Sequence, residues 1–82
     1  MKVHGVVVPV AALDEAKRLM ARRSRFTANE VETVIRGKLI DDMDIITAGD
    51  VAFRAADRLL QQERKAGRIV FISGSWRNVG EA

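Results

Sequence analysis

The chain has no cysteine, so disulfide bridges, thiol nucleophiles and thiolate metal sites are excluded and stability must come from packing. Histidine occurs once, at His4, inside an apolar segment, and a metal site there would need carboxylates from distant positions. The acidic run Asp41-Asp42-Met43-Asp44 lacks both the glycine and the distal glutamate of an EF-hand loop. Ser24, Ser73 and Ser75 have no general base within reach unless His4 folds beside one. Gly74 between two serines reads as a turn rather than a phosphate-binding loop. No apolar run approaches the roughly 20 residues that span a bilayer. The amino terminus also has no long apolar stretch with a small-residue cleavage site. These absences predict a cytoplasmic, non-enzymatic protein without cofactor, metal or membrane contact.

What is present fits one small domain spanning residues 1–82. A length of 82 residues leaves no room for a second core, and 48% apolar content is enough for a first. Net charge is +3 and the sequence pI is near 10.0. Lys17, Arg18, Arg22, Arg23 and Arg25 form one basic cluster, and Arg54, Arg58, Arg64, Lys65 and Arg68 another. Asp41, Asp42, Asp44 and Asp50 make an acidic patch between them. The distribution is dipolar, which raises the odds of a polyanionic partner only modestly, because soluble helices carry such charges anyway.

Residues 3–8 are rich in β-branched residues, interrupted only by His4 and Gly5, and are closed by Pro9, which predicts a strand. From residue 11 to 23, Ala12, Leu13, Ala16, Leu19 and Met20 recur at helical spacing. The hexapeptide Phe26-Thr27-Ala28-Asn29-Glu30-Val31 carries a full capping box and a hydrophobic staple, and opens a second helix at 28–39. Ile46-Thr47-Ala48-Gly49-Asp50-Val51 repeats the pattern with Asp for Glu, which predicts a third helix at 48–66 capped by Thr47. Capping physics alone selects such residues, so the two hexapeptides are read as independent caps. In the intervening loop, 40–46, the residues Ile40, Met43, Ile45 and Ile46 are expected to turn inward.

A period of 100° per residue places Ala52, Phe53, Ala56, Leu59 and Leu60 on one side of the third helix. Arg54, Arg58, Gln61 and Lys65 lie on the other. Glu63 falls close to the apolar side, which suggests an ion pair with an arginine of the first helix. Gly67 supplies the left-handed stop. Strands at 69–72 and 75–79 follow, joined at Ser73-Gly74, with Phe71 opposite Trp76 so that both rings pack. Leu59, Leu60, Ile35 and Phe71 are the expected core.

The segment 26–31 entering the second helix, and the segment VAFRAADRLLQQERKAGRIV at 51–70 running from the third helix into a hairpin, resemble the winged helix-turn-helix superfamily. The resemblance covers residues 11–79. It implies an α+β winged helix: a helical core at 11–66, a wing at 68–79, and an extra amino-terminal strand that the family does not require. The implied function is sequence-specific binding of double-stranded DNA, as in small transcriptional regulators of the bacterial or phage type. Arg54 and Arg58 would read bases, with Gln61 and Lys65 at phosphates. Arg77 and Asn78 of the wing would reach a neighbouring phosphate or the minor groove. The first turn of the second helix, Thr27 to Asn29, would offer its N–H groups to a phosphate.

The rival reading is a winged-helix module that binds protein through its wing and amino-terminal strand, with the basic face merely solvated. Exposed apolar residues on strand or wing would favour it, whereas a continuous positive surface joining Arg54, Arg58 and Arg77 would favour DNA. The apolar strand at 3–8 is expected either to add to the wing or to pair with a second subunit, giving a homodimer suited to a pseudo-palindromic site.

Overall fold

A computed structural model describes residues 1–79 apart from Asp42, the one member of the acidic patch outside the described residues. Its three helices are placed by their caps. Helix α1 (Val10–Arg22) starts after Pro9, whose carbonyl accepts from the N–H groups of Ala12 and Leu13 at 3.0 and 3.3 Å. Helix α2 (Ala28–Leu39) starts at Thr27 with the box closed both ways. Thr27 Oγ1 accepts from the Glu30 N–H at 3.2 Å, and Glu30 Oε1 accepts from the Thr27 N–H at 2.9 Å. Phe26 and Val31, the staple pair, are both buried.

Helix α3 (Ile45–Lys65) starts earlier than the sequence predicts, because Asp44 and not Thr47 is its cap. The Asp44 carboxylate accepts from the Thr47 N–H at 3.1 Å and from the Thr47 hydroxyl at 2.6 Å, so Thr47 becomes a first-turn residue. Aspartate outranks threonine as a cap and adds a charge at the positive helix end. The loop shrinks accordingly to residues 40–44. Ile45 and Ile46, now on the first turn of α3, point to solvent, with Ile46 81% exposed. Ile40 is exposed as well, and of the four apolar residues expected inward only Met43 packs on the core.

The amino-terminal segment is a hairpin, not a single strand. Strands β1 (Lys2–Val3) and β2 (Val6–Val7) pair antiparallel about His4-Gly5, and the Val8 N–H donates to the Met1 carbonyl at 2.8 Å. His4 and Gly5 both have positive φ, 51° and 77°, the backbone of a tight two-residue turn. Ser73 and Gly74 repeat that geometry at 51° and 83°.

A second sheet carries the wing. Strands β3 (Arg25–Phe26), β4 (Ile69–Ile72) and β5 (Ser75–Asn78) are antiparallel in the order β3-β5-β4. Phe26, Trp76 and Phe71 form one cross-strand row, and Arg25, Arg77 and Val70 the next, on the opposite face. Gly67, at φ 80°, ends α3, and the turn that follows places Arg68 beside Glu63. The Glu63 carboxylate accepts from Arg68 Nε and Nη2 at 2.8 and 2.7 Å, so its partner comes from the turn and not from α1. Three helices closed by a β-hairpin that recruits a stub strand give the α+β winged-helix layout, with the amino-terminal hairpin as an addition.

The core lies between the Phe26–Trp76 face of the sheet and the helices. Helix α3 contributes Ala48, Val51, Ala52, Ala55, Ala56, Leu59 and Leu60, and α2 contributes Val31, Ile35 and Leu39. Two expected core aromatics are outside it. Phe53, one residue round from Ala52, lies at the edge of the buried stripe and is 62% exposed. Phe71 meets Trp76 edge-on at 5.1 Å but sits on the outermost strand and is 55% exposed. Trp76 itself is buried.

Leu59→Ala or Ile35→Ala should cost about 2–5 kcal/mol, through lost burial and the cavity left behind. Phe53→Ala should stay within about 0.5 kcal/mol. Urea denaturation checks this, and equal losses for Leu59→Ala and Phe53→Ala would contradict the packing described.

The caps also set the response to acid. Donation by Thr47 holds the Asp44 carboxyl below its ordinary 3.8, and donation by the Thr27 N–H holds Glu30 below its ordinary 4.5. Folded values below unfolded ones mean stabilisation that is complete above those ordinary values and lost as pH falls through the lower folded ones. Asp44→Ala should therefore lower Tm at pH 7 and lose less than the parent on acidification to pH 3. An undiminished acid loss in the variant would show that Asp44 is not a contributor.

Candidate nucleic-acid interface

The solvent face of α3 follows from its buried stripe. Opposite Ala48, Ala52, Ala55 and Leu59 stand Asp50, Arg54, Asp57 and Lys65, all exposed, with Gln61 half-buried. Arg54 and Lys65 make no hydrogen bond or ion pair with other described residues. Gln61 Oε1 accepts from Arg64 Nε at 2.9 Å, and its amide N–H groups have no partner among the described residues. The face is thus mixed in sign and not a purely basic stripe.

Arg58, exposed on the flank of the same helix, is bonded within the fold. Its Nη1 donates to the Lys2 carbonyl at 2.7 Å, and His4 Nε2 lies 3.9 Å from Asp50 Oδ2. The amino-terminal hairpin therefore lies along α3 between Asp50 and Arg58, with Val3 and Val8 buried beneath it. The hairpin covers one flank of the helix and fixes Arg58 against its own backbone.

At the start of α2, Thr27 and Asn29 are exposed, but the Thr27 N–H expected to meet a phosphate is already held by Glu30. Arg23 Nη1 completes the arrangement at 2.6 Å from Glu30 Oε2. Donation from Thr27 and the charge of Arg23 keep that carboxylate ionised, so the Thr27 N–H and the Arg23 guanidinium are both engaged by Glu30 before any anion arrives. Between α2 and α3 a cleft of about 200 Å³ opens, lined by Ala28, Asn29, Glu32, Phe53, Ala56 and Asp57. Its floor is apolar and its rim acidic, and Glu32 is matched only by Arg36 at 3.7 Å.

The wing residues divide by strand alternation. Asn78 faces inward, where its Nδ2 donates to the carbonyls of Met20 and Arg23 at 2.9 and 3.0 Å. It satisfies the open carboxyl end of α1 and ties β5 to that helix, a structural role that engages the amide expected to reach DNA. Arg77 faces outward on the central strand, with Arg25 directly across from it on β3. Like charges placed so oppose sheet formation. Arg22 and Arg23 line an open cleft with Arg77, so basic side chains gather on this side of the fold, Arg23 among them paired with Glu30. The sequence signal for it was the pairing itself: once Phe26 is set opposite Trp76, Arg25 must fall opposite Arg77.

The structure brings Arg54, Gln61 and Lys65 together on α3, groups Arg77 with Arg25 instead, and holds Arg58 and Asn78 in structural bonds. Among the described residues no three histidine, aspartate or glutamate side chains are placed to hold a metal ion, and no helix is long and apolar enough to cross a membrane. No family model, curated protein or solved structure matches the chain.

Arg58→Ala should loosen the amino-terminal hairpin without unfolding the core. Amide exchange at Val8, bonded to Met1, should then speed up, while Arg54→Ala leaves it unchanged. Equal exchange in both variants would mean that the Arg58–Lys2 bond does not hold the hairpin.

Proposed function

We propose that the chain binds double-stranded DNA through the solvent face of α3, as a small sequence-specific regulator of transcription. The observation that carries this reading is the winged-helix layout, which leaves a long helix with Arg54, Gln61 and Lys65 outward and a hairpin at its end. A helix of this diameter fits the major groove of B-DNA. There arginine bonds guanine through O6 and N7, and glutamine bonds adenine through N6 and N7. Lys65, at the far end of the helix, suits a phosphate. Arg77 and Arg25 lie on the outer sheet face and supply positive field. Asp50 and Asp57 oppose phosphate approach, and so favour placement by base contacts over indiscriminate attraction.

The alternative of a protein-binding module is favoured by two observations: Val7 of the amino-terminal hairpin and Val70, Phe71 and Ile72 of the wing are exposed, and Phe53 is exposed over an apolar cleft with an acidic rim, a setting that suits an amphipathic basic helix.

Titration of duplex DNA at several salt concentrations separates the two. Affinity should fall with log[salt] at a slope of about −0.9 for each phosphate neutralised. Arg54→Ala should erase preference for a selected sequence, whereas Lys65→Ala should weaken all duplexes alike and flatten the salt slope by about 1. Folded protein that fails to bind any duplex at low salt would refute the DNA reading.

A further inference from the structure

The outermost strand of the wing is made for another strand. β4 reads Ile69-Val70-Phe71-Ile72, without charge, proline or bulge, and it stands at the end of the sheet order β3-β5-β4. Val70, Phe71 and Ile72 are all exposed, Ile72 by 47%. Proteins usually blunt such an edge with a charge, a proline or a cover. Here none of these is present among the described residues.

The ladder fixes which backbone groups are open. The Val79 N–H donates to the Arg68 carbonyl at 2.9 Å, and the register runs Ile69↔Asn78, Val70↔Arg77, Phe71↔Trp76, Ile72↔Ser75. Bonded and non-bonded pairs alternate in an antiparallel ladder. Arg68, Val70 and Ile72 therefore bond inward to β5, while Ile69 and Phe71 aim their N–H and C=O groups out of the sheet.

Within the chain, the amino-terminal hairpin is the obvious candidate to fill that edge, and it is held on α3 by Arg58 and the buried Val3. An incoming strand must be neutral, apolar and open on the matching backbone groups, and β4 of a second copy meets each requirement. We propose that the protein forms a twofold homodimer by antiparallel pairing of β4 with β4, centred on Val70. Only that centre sets Ile69 of one copy opposite Phe71 of the other in both directions and satisfies both open residues on each strand. The two three-stranded sheets become one of six. On the outer face Val70 meets Val70, and Ile72 of each copy meets the stem of Arg68 of the other, whose guanidinium is drawn away by Glu63. The contact is small for an interface, so association is concentration-dependent. It rests on the wing and not on the DNA reading, and it is tested without DNA.

Sedimentation over a range of concentration should show the 9.1 kDa chain passing to twice that mass. Hydrogen exchange at the Phe71 amide should slow at least tenfold over the same range. Ile72→Lys puts a lysine against Arg68 of the other copy and should leave a folded monomer by circular dichroism, whereas Ile72→Glu should keep the dimer. Val7→Lys, on the exposed edge of the amino-terminal hairpin, should also keep it. A monomer at every concentration overturns the proposal. A dimer broken by Val7→Lys, or one whose Phe71 amide still exchanges freely, overturns it as well by placing association elsewhere. Equal loss of the dimer in Ile72→Lys and Ile72→Glu overturns the Val70 centre.

Discussion

Everything in this fold rests on the buried stripe of α3, and that stripe is built largely of alanine. Four of its seven buried residues, Ala48, Ala52, Ala55 and Ala56, end at Cβ. Small side chains let a neighbouring backbone come close, so the larger Val31, Ile35 and Leu39 of α2 can fill the space between the helices. The leucines Leu59 and Leu60 come at the carboxyl end, where the wing returns and needs bulk to pack against. With α2 on one side and the amino-terminal hairpin on the other, only one face of α3 is left for a partner. The helix is thus oriented by packing before any function is considered, and its rotation decides which residues can read anything.

Local chemistry was legible in the sequence, and long-range arrangement was not. The Thr27–Glu30 box needs only four consecutive residues to form, and it formed as read. The start of α3 was displaced because Asp44 and Thr47 are both competent caps, and aspartate wins by charge and geometry. His4-Gly5 was hidden inside a run of valines that satisfies the pattern of one strand. Only the paired positive φ values mark it as a turn, although histidine is among the few residues that tolerate that region. Glu63 found Arg68 instead of an α1 arginine because the glycine turn after α3 delivers a guanidinium five residues away. A donor brought back by the adjoining turn prevailed over one from a distant helix.

The candidate site shows the same division in sharper form. Periodicity correctly set Arg54, Gln61 and Lys65 outward, since that needs only the helix. It could not foresee that Arg58 would be claimed by a carbonyl of the amino-terminal hairpin, or Asn78 by the open end of α1, because both bonds join segments more than fifty residues apart. Phe53 and Phe71 failed for a related reason. Each lies at the border of an apolar face, and whether a border residue is covered depends on what arrives from elsewhere in the chain.

The basic charge of the chain is also partitioned by the fold. On α3, Arg54 and Lys65 share their face with Asp50 and Asp57, so the sign of charge alternates along it. On the outer sheet face Arg25 and Arg77, and beside them Arg22 at the end of α1, have no ion-pair partner among the described residues, and Glu30 is paired with Arg23. This partition offers the DNA reading two different contributions, one from the arginines beside the sheet and one from α3. Under the DNA reading these are separable steps: the sheet arginines govern the encounter and its salt dependence, and the α3 side chains govern which sequence is retained. Under the protein reading the same partition leaves α3 and its acidic cleft suited to a basic segment, and the sheet arginines without a role. The like-charged Arg25–Arg77 pair weighs toward the first, because the sheet bears its repulsion with no compensating ion pair among the described residues.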